Sequence, residues 1–129
     1  MREFRGLKVW ARGHRLTLRV YEVTGGFPRE EMYGLTSQMR RSCAAIPANI
    51  AEGCGRGSNA DLARFLQIAL GSASELENHL MLARDVSFLQ AADYEYLTGE
   101  VTELKRTLTS FVKTLKAFAD KPRSPNPVA

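Results

Sequence analysis

Cysteine is scarce in this sequence, since the 129 residues contain only Cys43 and Cys54. Two cysteines are too few for a disulfide framework, and their spacing matches neither a CxxC motif nor the ligand pairs of a zinc site. Both thiols are therefore expected to stay reduced. Cys43 falls on an apolar helical stripe, which favours a small core residue over a reactive thiol.

Histidine is equally scarce, with only His14 and His79 in the chain. A di-iron site in a helical bundle needs two Glu-x-x-His motifs and two further glutamates, which this sequence does not supply. Glu75 and His79 are four residues apart on a predicted helix, and such a pair is more often a solvated surface contact than a ligand set. We therefore expect no metal site.

The sequence also lacks the motifs of the common catalytic sites. The glycine-rich segment 53–57 has neither the lysine nor the spacing of a P-loop, and no strand precedes it. Neither histidine has sequence neighbours that suggest nucleophilic catalysis. We therefore expect no cofactor and a protein that is not an enzyme, with an unrecognised active site at a subunit junction as the third alternative.

Long apolar runs are absent, so insertion into a membrane is not expected. The N-terminus opens with Arg2, Glu3, Phe4 and Arg5 and lacks the apolar stretch of a secretory signal. These two absences predict a cytoplasmic protein.

What the sequence does contain is an ordinary globular composition, with 44% hydrophobic and 25% charged residues. A chain of this length is one domain on the usual size range and can bury a core without disulfides or metal. We expect the domain to comprise residues 1–120. The segment 121–129 contains three prolines and is expected to be disordered.

The first half of the sequence predicts two helices. The first runs from about Leu7 to Thr24 on apolar and aromatic residues at helical spacing, and glycines follow it. After a short helical turn, the second helix begins near Leu35 and ends at Gly53, a plausible C′ residue. Pro47 lies inside its pattern and removes the amide that would bond the Cys43 carbonyl, so we expect a kink or a break there.

The second half predicts two longer helices. Ser58 followed by Asp61 resembles a capping box, so helix three is expected to begin there and to continue to about Arg84. Helix four has the most regular pattern, with apolar residues in alternating steps of three and four. That seam consists of Tyr94, Leu97, Val101, Leu104, Leu108, Phe111, Leu115 and Phe118.

No strand-like alternation competes with these helices, so the predicted class is all-α. Four helices joined by short loops favour an antiparallel, up-down-up-down four-helix bundle with its second helix kinked near Pro47. Aromatic residues at helical spacing are then expected to supply core contacts instead of a cofactor pocket, namely Trp10, Tyr21, Phe65, Phe111 and Phe118.

A polar cluster surrounds helix two and the loop after it, and it has two interpretations. It comprises Gln38, Arg40, Arg41, Asn49, Glu52, Arg56 and Arg64. In the structural interpretation, Arg40 or Arg41 pairs with an acid of helix two or three, and Asn49 caps or bridges the break at Pro47. In the functional interpretation, Arg40, Arg41 and Arg56 contribute to an electropositive patch for phosphates.

Helix one carries a second group of cations. Lys8, Arg12, Arg15 and Arg19 follow steps of four, three and four, so they form one basic stripe beside the Trp10 stripe. A net charge of +4 is compatible with an anionic partner but does not identify one. We expect weak nucleic-acid binding with little sequence preference, because no base-reading motif is evident.

The string Ile46-Pro47-Ala48-Asn49-Ile50-Ala51-Glu52-Gly53, with Tyr33-Gly34-Leu35, Arg40-Arg41 and Gly55-Arg56 around it, carries a family resemblance. The sequence from about Phe4 to Phe118 resembles the bacterial four-helix bundle proteins encoded within intervening sequences of 23S ribosomal RNA genes. Gly13 departs from the family pattern, which has a larger helix former there.

The resemblance implies a ring-shaped homopentamer. It also implies a distant kinship with accessory variability proteins of diversity-generating retroelements, which bind a reverse transcriptase and nucleic acid. The family's own biochemical role is unsettled. Carried onto this sequence, the family motif marks structural or interface residues at Gln38, Arg40, Arg41, Pro47, Asn49, Glu52, Gly53, Arg56 and Glu75.

Two functional hypotheses follow. The first is a noncatalytic homo-oligomer, with five copies favoured, whose basic surface contacts RNA, DNA or a nucleic-acid-handling protein. The second is a purely structural or protein-interaction assembly whose arginines tie subunits together and bind no nucleic acid. The directions of the Arg40, Arg41 and Arg56 side chains distinguish the two.

Overall fold

A computed structural model describes residues 2–119 and contains four α-helices. These are α1 (Lys8–Thr24), α2 (Leu35–Cys54), α3 (Asn59–Asp85) and α4 (Ala91–Ala119). Two 3₁₀ turns, at Phe4–Gly6 and Arg29–Glu31, precede α1 and α2, and the described residues include no strand. The prediction of an all-α four-helix bundle is confirmed, while the antiparallel order stays a prediction. The predicted tail, 121–129, lies outside the described residues.

The helix boundaries follow from local chemistry, with one correction. Ser58 caps α3 as predicted, because its side chain accepts a hydrogen bond of 3.1 Å from the Asp61 amide. The prediction that Gly53 ends α2 as a C′ residue is wrong, because the helix continues to Cys54 and Gly55 caps it. Gly53 is instead buried at a close approach between helices, where a Cβ built on it would lie 2.9 Å from Phe65 Cβ.

Helix α2 continues through Pro47, so the alternative of a break there is wrong. The Cys43 carbonyl, which cannot bond an amide at Pro47, lies 3.4 Å from the Thr17 hydroxyl of α1. Gly13 of α1 faces the same proline, and a Cβ built on Gly13 would lie 3.4 Å from the Pro47 ring. Helix α1 therefore lies against the proline turn at Gly13, with just enough room there for a methyl group at ordinary contact distance. The kink stays a prediction.

The core runs between all four helices, since each helix packs against its neighbours in sequence and α1 also packs against α4. The predicted seam of α4 supplies much of it, as Leu97, Val101, Leu104, Leu108 and Leu115 are at most 1% exposed. Dense packing of this kind is what stabilises a bundle, because each leucine removes its full apolar surface from water.

Some aromatic residues assigned to the core are not in it. Tyr21 is 48% exposed and Phe118 is 39% exposed, so that prediction is wrong for both. Phe111 is only partly buried and Val112 is buried instead. A straight helix drifts relative to a strict heptad, which explains why the buried position moves by one residue near the end of α4.

Candidate nucleic-acid interface and polar cleft

Two cations of the predicted α1 stripe are engaged with acids. The Arg12 guanidinium lies 3.7 Å from the Glu100 carboxylate of α4, and Arg19 lies 3.7 Å from Asp93 and also pairs with Glu22. The pairs with Glu22 and Asp93 raise the pKa of Arg19, and the hydrogen bond with Glu22 is the main cause. Half of the stripe therefore contributes little net positive potential.

The other two cations of the stripe, Lys8 and Arg15, are exposed. Within residues 2–119, neither forms an ion pair. Lys8 lies where the start of α1 meets the C-terminal half of α4. It is the point at which the predicted stripe joins a groove that contains further cations.

This groove, hereafter the basic groove, has a volume of about 620 Å³. It is lined by Arg2, Leu7, Lys8, Val9, Arg106, Thr107, Ser110, Phe111 and Thr114. Three cations, three hydroxyls and an apolar floor therefore share one concave surface. Cations and hydroxyls are the groups that contact phosphates, and apolar side chains can accept a sugar or base against them.

Two contacts fix Arg2 in the basic groove. Its amide donates a 2.8 Å hydrogen bond to the Cys54 carbonyl, and its guanidinium lies 5.7 Å from the centre of the Phe111 ring. Arg106 opposite is highly exposed, and within residues 2–119 it pairs with Glu103 alone, one helical turn away. An exposed pair of this kind is weak and leaves the guanidinium able to bind an anion.

The basic surface continues along α4 beyond the groove. A neighbouring depression of about 440 Å³ is lined by Thr102, Lys105, Arg106, Thr109, Ser110 and Lys113. Lys105 is held by Glu77 of α3 at 2.6 Å, whereas Lys113 is exposed. Sequence reasoning missed Arg2, Arg106 and Lys113. The recurrence of Lys, Arg, Ser and Thr on the outer face of helix four was the signal that could have found Arg106 and Lys113, whereas Arg2 joins them only through the fold.

Arg40 is turned inward, toward the end of α1. Its Nε donates a 2.9 Å hydrogen bond to the buried Thr24 hydroxyl, and a terminal nitrogen donates one of 3.3 Å to the Tyr21 carbonyl. The guanidinium also lies 4.5 Å from the centre of the Tyr21 ring. Within residues 2–119, the Thr24 hydroxyl and the Tyr21 carbonyl take the place of an acidic partner for Arg40, and its pairing with an acid across a subunit interface stays a prediction.

Replacing Arg40 with Ala is expected to lower the free energy of unfolding by about 1–2 kcal/mol, because two charge-assisted hydrogen bonds are lost. Urea unfolding would measure this loss. Arg15→Ala is the matched control, since Arg15 is an exposed helical arginine, and it should change stability by less than about 0.5 kcal/mol. Equal effects of the two substitutions would contradict the structural role of Arg40.

Arg41 points elsewhere and lines a polar cleft between α2 and α3. The cleft has a volume of about 230 Å³ and is lined by Gln38, Arg41, Ser42, Ala45, Ser72 and Glu75. Glu75 contacts His79 at 3.4 Å, as its spacing predicted, but the imidazole is largely buried and its Nδ1 has no partner among the described residues. The structure thus brings Gln38, Arg41 and Glu75 together and separates them from Arg40.

The remaining polar residues of the motif act near their own helix ends. Arg56 pairs with Glu52 at 3.0 Å, and its guanidinium lies 4.9 Å from the centre of the Phe65 ring, which Arg64 approaches at 4.5 Å. The Asn49 amide donates a 2.8 Å hydrogen bond to the Ala45 carbonyl. This hydrogen bond spans Pro47, whereas Thr17 is the side chain that lies against the free Cys43 carbonyl, and the predicted structural role of Asn49 stays a prediction.

Neither thiol belongs to a site. Cys43 and Cys54 are free and buried, as the sequence predicted for Cys43. Burial raises the pKa of the Cys43 thiol to about 11, so the nucleophilic thiolate is rare at neutral pH. Across residues 2–119, no group of three or more His, Cys, Asp or Glu side chains could hold a metal ion. In the same range, no helix combines the length and apolar character needed to cross a membrane.

The fold and these surfaces define a small helical-bundle protein. The family model described as 23S rRNA-intervening sequence protein matches residues 5–110, and the chain belongs to this family. A solved structure from Bacteroides thetaiotaomicron VPI-5482, a protein of unknown function from the S23 ribosomal protein family, is similar to it. That protein is 28% identical with a TM-score of 0.73, and the match covers 81% of this chain and 98% of the other. No curated protein matches the chain.

Proposed function

We propose that this protein is a noncatalytic homo-oligomer, with five copies favoured, that binds RNA or DNA through the basic groove. The observation that carries the proposal is the convergence of Arg2, Lys8 and Arg106 on one concave surface that also presents hydroxyls. These residues come from opposite ends of the chain and are brought together only by the fold.

The basic groove supports this proposal better than the α1 stripe does. Arg12 and Arg19 are already paired with acids, so an added phosphate would have to compete with those carboxylates. Lys8 has no such partner within residues 2–119, and Arg106 pairs with Glu103 of its own helix but keeps a 70% exposed side chain, so an anion can reach both from the groove. Phosphate contacts of this kind give affinity without reading the base sequence.

Assembly would strengthen these contacts. A few phosphates per subunit give only weak binding, but copies held in one assembly present several grooves to the same nucleic acid. Each neutralised phosphate releases counterions, so the affinity should fall steeply as salt is added. Self-association and a modest net charge of +4 are therefore compatible with useful affinity.

The second candidate function is a structural or protein-interaction assembly that binds no nucleic acid. It is favoured by the arginines that are engaged within the chain, because Arg40 and Arg56 hold helix ends and aromatic rings instead of facing solvent alone. The two candidates share self-assembly and differ only in the role of the basic groove.

The test is a binding titration of the assembled protein with single-stranded and duplex RNA and DNA at about 50 and about 200 mM salt. We expect binding at the lower salt. At the higher salt the affinity should be at least about tenfold lower if two or more phosphates are contacted. Undetectable binding at the lower salt would overturn the nucleic-acid function and leave the second candidate.

Charge reversals then locate the interface. Lys8→Glu and Arg106→Glu are each expected to weaken binding about tenfold and to reduce the salt dependence by about one counterion. Arg84→Glu changes the net charge equally at an exposed position of α3 outside the groove, and it should have a much smaller effect. If Arg15→Glu weakens binding while Lys8→Glu and Arg106→Glu do not, the α1 stripe is the interface and the groove is not.

A further inference from the structure

Tyr33 is the most exposed of the large hydrophobic side chains in the described structure, at 97%. It lies between the 3₁₀ turn Arg29–Glu31 and the start of α2, next to Met32, which is 47% exposed. A single exposed apolar residue needs no explanation. Two adjacent ones at the tip of a structured turn, with a tyrosine projecting fully into solvent, are typical of an anchor for a protein interface.

The turn that presents Tyr33 is held in place by Glu31. The Glu31 carboxylate accepts a 3.1 Å hydrogen bond from the Leu35 amide at the first turn of α2, and the Glu31 carbonyl accepts one of 2.9 Å from the Gly34 amide. A Cβ on Gly34 would lie 2.9 Å from that carboxylate, so glycine leaves the room it occupies. Tyr33 is therefore presented by a preorganised turn, which lowers the entropy lost when it docks.

The polar cleft between α2 and α3 has the size and the polar groups needed to bind a tyrosine side chain. Its volume of about 230 Å³ can admit one aromatic ring, and Gln38, Ser72 and Glu75 surround the space with partners for a phenol hydroxyl. Arg41 at its edge is exposed and forms no ion pair within residues 2–119. The cleft therefore suits an incoming segment that carries an aromatic side chain and an acid.

The Tyr33 turn is such a segment, because Glu30 is exposed three residues before the tyrosine. We propose that Tyr33 of one copy docks in the polar cleft of a second copy, with Glu30 paired to Arg41 of that copy. This proposal rests on the self-assembly proposed above and specifies the contact between copies that produces it. The fully solvated state of Tyr33 within one copy is consistent with this, because its own cleft does not receive it.

The positions of the two surfaces favour closure into a ring. Tyr33 precedes α2 by two residues, while Gln38 and Arg41 lie in its first two turns. At 1.5 Å per residue, Gln38 and Arg41 lie about 8 Å and about 12 Å beyond Tyr33 along the helix axis. A contact between different patches at nearly the same height can repeat by rotation alone, which produces a closed ring, whereas a large offset would produce an open filament.

The first test removes the anchor. Tyr33→Ser should lower the mass measured by light scattering at a protomer concentration where the wild-type protein is assembled, and helical circular dichroism should not change. Tyr96→Ser is the matched control, because Tyr96 of α4 is 53% exposed and lies outside the cleft, and it should leave the mass unchanged. Assembly retained by Tyr33→Ser would overturn the docking contact and leave self-assembly intact, whereas a monomeric wild-type protein would overturn both.

The second test reverses the charges. Glu30→Arg and Arg41→Glu should each weaken assembly at least about tenfold, and the double variant should recover it, because the opposite pairing is restored. A double variant that stays dissociated would overturn the pairing of Glu30 with Arg41.

Cysteine cross-linking supplies a measurement that does not depend on stability. Met32→Cys, which keeps the neighbouring Tyr33 anchor, mixed with Ser72→Cys should yield a disulfide-linked dimer under mild oxidation, since the native thiols are buried. Each variant alone should remain uncross-linked. No cross-link in an assembled mixture would overturn the docking contact.

Discussion

Replacing Leu108 with Ala is expected to lower the free energy of unfolding by about 2–5 kcal/mol. Leu108 is fully buried in the middle of the α4 seam, between Leu104 and Leu115. The loss has two parts, because the removed methyl groups no longer gain from burial and the space they leave is only partly filled by neighbours. Because Leu108 lies between two other buried leucines, its neighbours have little freedom to move into the cavity that the substitution creates.

Urea unfolding at one fixed protomer concentration measures this effect, since assembly would make stability depend on concentration. Leu18→Ala is the matched control, because Leu18 of α1 is 58% exposed, and it should cost less than about 1 kcal/mol. A loss of less than about 1 kcal/mol at Leu108 would mean that the assigned register of α4 is incorrect.

The sequence predicted the helices well because their signals are local. The Ser58 cap and the seam from Leu97 to Leu108 depend on residues within a few turns of one another, and each is present in the structure. The errors arise at positions where contacts between helices, and not the local sequence pattern, determine whether a side chain is buried. Phe111 and Val112 exchange burial near the end of α4, and Tyr21 is exposed under the Arg40 guanidinium.

The candidate site was less predictable than the fold for the same reason. Lys8 was identified from its spacing on helix one, but Arg106 is almost a hundred residues away and joins it only through packing of α1 on α4. Arg40 and Arg41 are adjacent in sequence and look equivalent there. On a helix, adjacent residues point about 100° apart, so one reaches the end of α1 and the other reaches the cleft beside α3.

Packing determines whether replacing a helical glycine with alanine raises or lowers stability, as two glycines of this protein show. Gly13 and Gly53 both lie inside helices, where glycine costs about 0.5–1 kcal/mol relative to alanine. A Cβ at Gly13 would lie 3.4 Å from the Pro47 ring and 3.5 Å from an Ile46 methyl, which are ordinary contacts. A Cβ at Gly53 would lie 2.9 Å from both the Leu62 methyl and Phe65 Cβ. The same substitution should therefore have opposite effects at the two positions.

Gly53→Ala is expected to lower the free energy of unfolding by about 1–3 kcal/mol, because overpacking outweighs the gain in helix propensity. The Leu62 methyl can rotate away, but Phe65 Cβ is fixed to the backbone of α3, so α2 and α3 must separate. Gly13→Ala is expected to raise stability by up to about 1 kcal/mol, since its new methyl group fits against Pro47.

Gly71→Ala provides the reference value for the propensity gain alone. Gly71 is exposed on α3, and a Cβ there would meet no described atom within 4 Å, so its substitution should add about 0.5–1 kcal/mol. Urea unfolding of the three variants under identical conditions separates the two effects. If Gly53→Ala is as stable as Gly71→Ala, α2 and α3 can separate without cost, and Gly53 is then not needed for the contact between them.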